Sequence, residues 1–393
     1  MLIGRFLLSL AALGGVSAQA TPVMYGGNAE RTFAYASSAP SLPAAVKWRK
    51  TIPGMCVDSP MVAGDLVIAV CWQGIHVFAA ANGAPLWSTP PDGTEYTPGP
   101  AVDDRAIYTT TYTSLESSSF FAAFDRETGV KLWSTPLGSH RTVPSLLVNE
   151  TVYVGLDNGE LRAFDKTDGA VQWSTALPGL AIAGPPAYAN GVLLVPGRRF
   201  NSIQPDEDGD LFAVDASDGH ILWRTNLNQR INAAPIVVGA VVYVVSGNYV
   251  NTNPTLSAIE ITSGNAIWRV ILPLAIDSEW AGNLAADDGK LVITSNRESL
   301  TLGIDAATGA IAWRANVGGE GLAIASMSHR VLIEGNFAAQ GVRLATLDLG
   351  SGALLGSALD PGFSYAIPSL ANGVAYTYLQ SSTPQASDLV AYQ

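Results

Sequence analysis

The sequence is short of charge. Asp, Glu, Lys and Arg make up 14% of its 393 residues, and acids outnumber bases 33 to 21. The formal net charge of −12 repels nucleic acid and anionic lipid, so neither is an expected partner. Long apolar runs are missing beyond the N-terminus. Ile236 to Val245 has the length and β-branched character of a buried strand, too short to span a bilayer. The four histidines, His76, His140, His220 and His329, have no spacing that would pair two of them on a metal, which argues against zinc. No G-x-S-x-G marks a serine nucleophile. There are only two cysteines, Cys56 and Cys71.

What is present first is a targeting segment. Arg5 supplies a positive start, Phe6 to Val16 a short apolar run, and Ala18-Gln19-Ala20 a small-x-small cleavage pattern. Residues 1–20 are therefore expected to be a cleaved signal peptide, taking the formal charge to −13 and the protein to the periplasm or outside the cell. No cysteine follows the apolar run, so no lipid anchor is expected there. In an oxidising compartment Cys56 and Cys71 are a candidate disulfide; the alternative is two buried free thiols.

Next comes a phrase that repeats. Its cleanest copy, Ala163 to Trp173, reads A-x-D-x-x-x-G-x-x-x-W. Asp125, Gly129 and Trp133 form another copy; Asp215, Gly219 and Trp223 a third; Gly264 and Trp268, with Glu260 for Asp, a fourth; Asp305, Gly309 and Trp313 a fifth. Two copies are worn: Gly83 and Trp87 follow Ala79, and Asp348 and Gly352 precede Gly356 in place of Trp. Short β-type runs precede each phrase, and the Trp positions 87, 133, 173, 223, 268 and 313 set a period of 40 to 50 residues. That period implies an all-β propeller with four strands, A to D, per blade. In the clean copy, Asp165 is expected to accept bonds from turn amides, Gly169 to supply positive φ, and Trp173 to bury its ring against a neighbouring blade.

Seven units end at Trp87 through Gly356. Three more strands follow, and the chain stops before a fourth. A lone strand at Ala44 to Trp48 completes that last blade, giving a closed ring of eight with no open sheet edges around the circle. The organisation read from this is a signal peptide at 1–20, a lead-in at 21–43 and a single propeller, monomeric as a ring, at 44–393. Alternating strand direction puts B–C hairpins and D–A crossovers on one face and C–D turns on the other. Length variation concentrates in the B–C hairpins, so function is expected on their face.

The phrase resembles the tryptophan-docking repeat of the quinoprotein (PQQ-like) eight-bladed propellers, over about residues 44–393. That superfamily holds PQQ-dependent alcohol dehydrogenases and non-enzymatic relatives such as the BamB-like scaffolds of outer-membrane protein assembly. For a dehydrogenase the resemblance implies a vicinal Cys-Cys pair over the quinone, a calcium held by acidic and amide side chains, and a catalytic Asp. Here the cysteines are not adjacent, and neither long insertions nor a C-x-x-C-H haem site occurs. By size the chain looks like BamB, without the lipobox cysteine.

Candidate site residues sit where crossovers enter the A strands, around the channel mouth: Arg141, Arg230, Trp280 and Tyr365, with Tyr96, Asp58 and Glu279 nearby. They can form a funnel for an anionic or planar ligand, Trp280 stacking and the arginines pairing with carboxylate. The bland reading is a wet channel mouth. Asp206, Asp208 and Asp210 alternate as calcium ligands would, but lack the later Gly and bidentate Glu of an EF-hand, so a solvated hairpin tip is the preferred reading and no metal is expected. The expected function is a non-catalytic scaffold binding a partner protein through its B–C and D–A loops, with no catalytic residue and no cofactor. The alternatives are a PQQ- and calcium-dependent oxidoreductase and a small-ligand or glycan binder.

Overall fold

The structure, a computed structural model, describes residues 23–393 apart from 36–44, 58, 90–93, 97–98, 114–117, 180, 200–208, 232, 248–253, 276–283, 296–297, 318–319, 328, 338–340, 361–363, 365 and 384. The expected targeting segment, Asp58, Asp206, Asp208, Glu279, Trp280 and Tyr365 thus lie outside the described residues.

Among the described residues every regular element is a strand, and the strands form eight separate antiparallel sheets. Blade 3 shows the plan: A Leu146–Val148, B Thr151–Gly155, C Glu160–Asp165 and D Val171–Ala176, hydrogen-bonded in that order. Its B strand is almost wholly buried, whereas its D strand alternates exposed and half-buried residues, so D is the outer edge. Blade 8 closes the ring as expected. Its D strand is Val46–Pro53, paired from Val46↔Tyr392 to Pro53↔Ala386 with the C-terminal strand.

One expectation needs correction. Ile236 to Val245 is a hairpin, not one strand: Ile236–Val238 and Val241–Ser246 pair across a turn in which Gly239 takes φ of 61°. A continuous apolar run hid the turn because Gly239-Ala240 carries no polar turn signal.

The phrase works as a lock between blades. In seven seams the indole Nε1 donates to a backbone carbonyl of the next blade at 2.7–3.2 Å: Trp48 to Ala80, Trp87 to Arg126, Trp133 to Lys166, Trp173 to Ala216, Trp223 to Ile261, Trp268 to Ala306 and Trp313 to Leu349. Each ring lies on the phrase glycine of that next blade, so close that a β-carbon there would fall within 3 Å of it. Gly169 thus has two reasons to be glycine: its φ of 74° and the Trp133 ring above it. The aspartates cap the same turns. Asp125 Oδ1 accepts from the Thr128 amide at 2.8 Å and its hydroxyl at 2.6 Å. The Thr128, Ser217 and Ser351 hydroxyls are the main reason that Asp125, Asp215 and Asp348 stay below the usual carboxylate range.

The eighth seam, between blades 7 and 8, has no lock, and the topology explains why. The glycine seat lies in the C–D turn of the following blade. In blade 8, strands C and D come from opposite ends of the chain, so no such turn exists, and blade 7 carries Gly356 where Trp would stand. Polar contacts hold this seam instead. Arg49 of blade 8 meets both oxygens of Asp360 of blade 7 at 2.6 Å, and the Tyr392 hydroxyl donates to Asp360 at 2.6 Å. Deeper in, Thr377 donates to Glu334 at 3.1 Å.

Residues 23–35, read from the sequence as a lead-in ahead of the domain, pack inside the ring. Val23 exchanges both backbone bonds with Val102 of blade 2. The A-strand amides of Tyr188, Val237 and Ala286, in blades 4, 5 and 6, donate to the carbonyls of Ala29, Glu30 and Thr32 at 2.8–2.9 Å. One short segment bonded to the inner strands of four blades lies in the central channel.

Candidate functional site

Where they are described, the D–A crossovers of blades 1 to 5 are bonded to the ends of the B strands. In blade 1 the Trp72 amide donates to Met55 O; in blade 3 Asp157 donates to Arg141 O; in blade 5 Gly247 donates to Arg230 O, each at 3.0 Å. In blades 2 and 4 the crossover becomes a fifth strand, Glu95–Tyr96 and Ala181–Ile182, pairing with strand B. In these five blades the crossover thus continues the sheet beyond strand A, satisfying amides that a free loop would leave to water. The shared face inferred from strand direction is correct.

Arg141 is exposed and Arg230 half-buried, on blades 3 and 5 of this face, held through their backbones as above. Beside Arg141, His140 Nδ1 lies 3.1 Å from Asp157 Oδ1 of the hairpin. Tyr96 is turned inward: it is buried in the core shared by blades 1 and 2, its ring 5.9 Å from that of Phe124. Asp210 belongs to the sheet. Fully buried, it accepts from Arg224 at 2.6 Å and Asn226 at 2.9 Å, so its charge is already matched by a guanidinium.

Cys56 and Cys71 are joined in a disulfide, 15 residues apart, between the blade 1 crossover and the end of its B strand. The sequence reading missed what this bond presents. Met55 and Trp72, the residues next to the two cysteines, are each 48% exposed, side by side through their backbone bond. The signal was available in the Met55-Cys56 and Cys71-Trp72 pairs once the disulfide was drawn.

The cofactor implied by the resemblance can be tested against these residues. Cys56 and Cys71 are bonded at a separation of 15, so they form no vicinal pair. The channel holds residues 23–35, and Arg31 is fully buried there. Among the described residues, no three of His, Cys, Asp and Glu converge on a point that could hold a metal. Asp210 is committed to Arg224. The described residues do not fit PQQ with its calcium.

On the opposite face, two shallow clefts open between the C–D turns. In one, Lys166 is held by Asp103 at 3.4 Å and Glu150 at 3.0 Å; the other lies around Tyr153, Tyr188 and Asp215. These are braces between blades 2, 3 and 4.

With the geometry in place, comparison with known proteins separates fold from family. The outer membrane protein assembly factor BamB of Bordetella pertussis is 31% identical over 146 residues, covering 36% of this chain and 36% of the relative. That of Yersinia pestis is 25% identical over 222 residues, covering 50% of this chain and 55% of the relative. The chain therefore aligns with about half or less of these relatives' lengths. Among solved structures, BamB from Moraxella catarrhalis superposes with a TM-score of 0.62 at 16% identity, covering 89% of this chain and 99% of that one. Quinohemoprotein alcohol dehydrogenase ADHIIG from Pseudomonas putida HK5 superposes at 0.73 with 12% identity, covering 94% and 80%. At such identities the likeness establishes the propeller fold alone. A family model described as outer membrane protein assembly factor BamB matches residues 157–273 and 252–364, more than half of the chain. By that match, made across blades 3 to 7, the chain belongs to the BamB family of PQQ-like propellers.

Proposed function

We propose that this protein is a non-catalytic, extracytoplasmic scaffold in outer-membrane protein assembly, and that it presents the face of B–C hairpins and D–A crossovers to a partner protein. The family match over residues 157–364 carries this reading. The chemistry of that face supports it. Met55 and Trp72 stand exposed on a loop clamped by the disulfide, and an exposed Trp on a rigid support loses little freedom when it docks. Arg141 and Arg230 add cationic groups to the same face of an otherwise acidic protein. A signal peptide at 1–20 delivers the chain across the inner membrane. Among the described residues no helix is long and apolar enough to cross a bilayer.

The test is affinity capture from an envelope extract. The wild type should retain a component of the outer-membrane assembly machinery, and Trp72→Ala combined with Met55→Ala should lose most of it. Capture of no specific protein by the wild type contradicts the scaffold reading.

The alternative that the sequence leaves open, a PQQ- and calcium-dependent oxidoreductase, has only the shared propeller fold in its favour. Titration with PQQ and calcium decides between the two. The scaffold reading expects no saturable absorbance change; saturable binding with dye-linked alcohol oxidation establishes the second.

A further inference from the structure

The channel segment has the properties of a ligand. It holds its own shape: Gly27 donates to Met24 O, Arg31 to Asn28 O and Phe33 to Gly26 O, while Asn28 and Thr32 exchange two bonds at 2.7 and 3.0 Å. The Tyr25 and Phe33 rings meet edge to face at 5.2 Å. A compact loop of this kind pays its ordering entropy largely before it binds. Its outer surface then offers two kinds of contact. Backbone carbonyls meet inner-strand amides of blades 4, 5 and 6, which any sequence could do. The Arg31 side chain adds the selective one. Its Nε donates to Pro186 O at 2.9 Å and Nη2 to Ser145 O at 3.0 Å, with Nη1 bonded to Tyr25 O.

That cage is made of carbonyl oxygens on blades 3 and 4 and on the loop itself. It accepts donors only, from three directions in one plane, which suits a guanidinium and not an ammonium. Arg31 is fully buried, and it holds φ of 58°, a conformation that non-glycine residues adopt at a cost. The contacts hold the residue there. The loop is covalently joined to the chain that follows it, so its effective concentration at the channel stays high.

We propose that the central channel is a peptide-binding site selective for a compact, arginine-bearing loop, that residues 23–35 are its resident ligand, and that it admits the same sequence supplied in trans. This site is distinct from the loop face, and its test is independent of the scaffold reading.

The experiment places a protease site within 36–44 and cuts the folded protein. The 23–35 fragment should stay with the ring through gel filtration. A fluorescent synthetic peptide of residues 21–35 should then exchange into the cut ring, read by anisotropy. The same peptide with Arg31→Lys should bind at least tenfold more weakly, and with Arg31→Ala not measurably. Three results each overturn the proposal: equal binding of wild-type and Arg31→Ala peptides, release of the fragment with no rebinding, or retention with no exchange below the unfolding temperature. Should the cleavable chain fail to fold, the intact chain carrying Arg31→Ala serves instead. It should take up labelled wild-type peptide in trans, and the unaltered chain should not; uptake by neither overturns the proposal.

Discussion

The lock between blades predicts how two chemically identical substitutions will differ. Gly169 and Gly239 both occupy left-handed backbone, with φ of 74° and 61°. A β-carbon on Gly239 meets nothing within 4 Å, whereas one on Gly169 falls within 3 Å of the Trp133 ring. Gly239→Ala should therefore cost only the conformational penalty, about 1 kcal/mol. Gly169→Ala adds displacement of a half-buried indole and loss of its bond to Lys166 O. Losing part of the roughly 3 kcal/mol of Trp burial takes the total to about 3–4 kcal/mol. A double-mutant cycle isolates the contact: in a Trp133→Ala background the cost of Gly169→Ala should fall back to about 1 kcal/mol. Urea midpoints followed by tryptophan fluorescence and far-ultraviolet dichroism measure all four variants. Equal costs at Gly169 and Gly239, or no coupling to Trp133, would refute the idea that the phrase glycine is a seat for the preceding blade's tryptophan.

Other outcomes follow from the same structure. Replacing Cys56 and Cys71 together with Ser should lower stability by about 3 kcal/mol on the chain-entropy model for a 15-residue separation, and reductant should reproduce the loss in the wild type. Glu334 offers a pH test of the eighth seam. Burial pushes its carboxyl from 4.5 up to about 8, against the opposing pull of the Ser364 and Thr377 hydroxyls. The folded state thus keeps a proton that the unfolded chain releases above 4.5. The contribution is full below that pH and is lost as pH rises through about 8. Glu334→Gln should flatten this decline and leave the variant more stable than the wild type at pH 8–9, by roughly a few kcal/mol; an unchanged pH profile of the melting temperature would count against it. Arg49→Ala should weaken the same seam by leaving buried Asp360 with Tyr392 but without its cation, and limited proteolysis should then cut near the chain ends sooner.

The ring was legible in the sequence because its parts are local and repeated. Asp125, Gly129 and Trp133 sit within nine residues, and the same spacing returns blade after blade. The worn copy at Gly356 was legible as a departure, but its reason was not. That reason is the absent turn of blade 8, which appears only once the two chain ends pair. The disulfide was readable for a similar reason, since strand direction brings Cys56 and Cys71 to one face.

Residues 23–35 were not legible. They follow no repeat, and their hydrogen-bond partners are backbone amides and carbonyls on blades 2 to 6, which carry no sequence signature. Tyr96 shows the matching limit at the candidate site. The sequence placed it beside the channel entry; only packing against Phe124 tells that the ring points inward. Asp210 looked like one of a row of acids, and Arg224, which neutralises it, lies across a strand pairing 14 residues away.

Under the proposed function, the face with Trp72 and Arg141 meets a partner protein. Photo-crosslinking in living cells tests it most directly, with a photoreactive residue at position 72 or 141 and, as a control, at Lys166 beside the C–D turns. A specific crosslink from 72 and 141 to a component of the outer-membrane assembly machinery is expected, and none from 166. A crosslink from 166 alone, or none from any of the three, would contradict it.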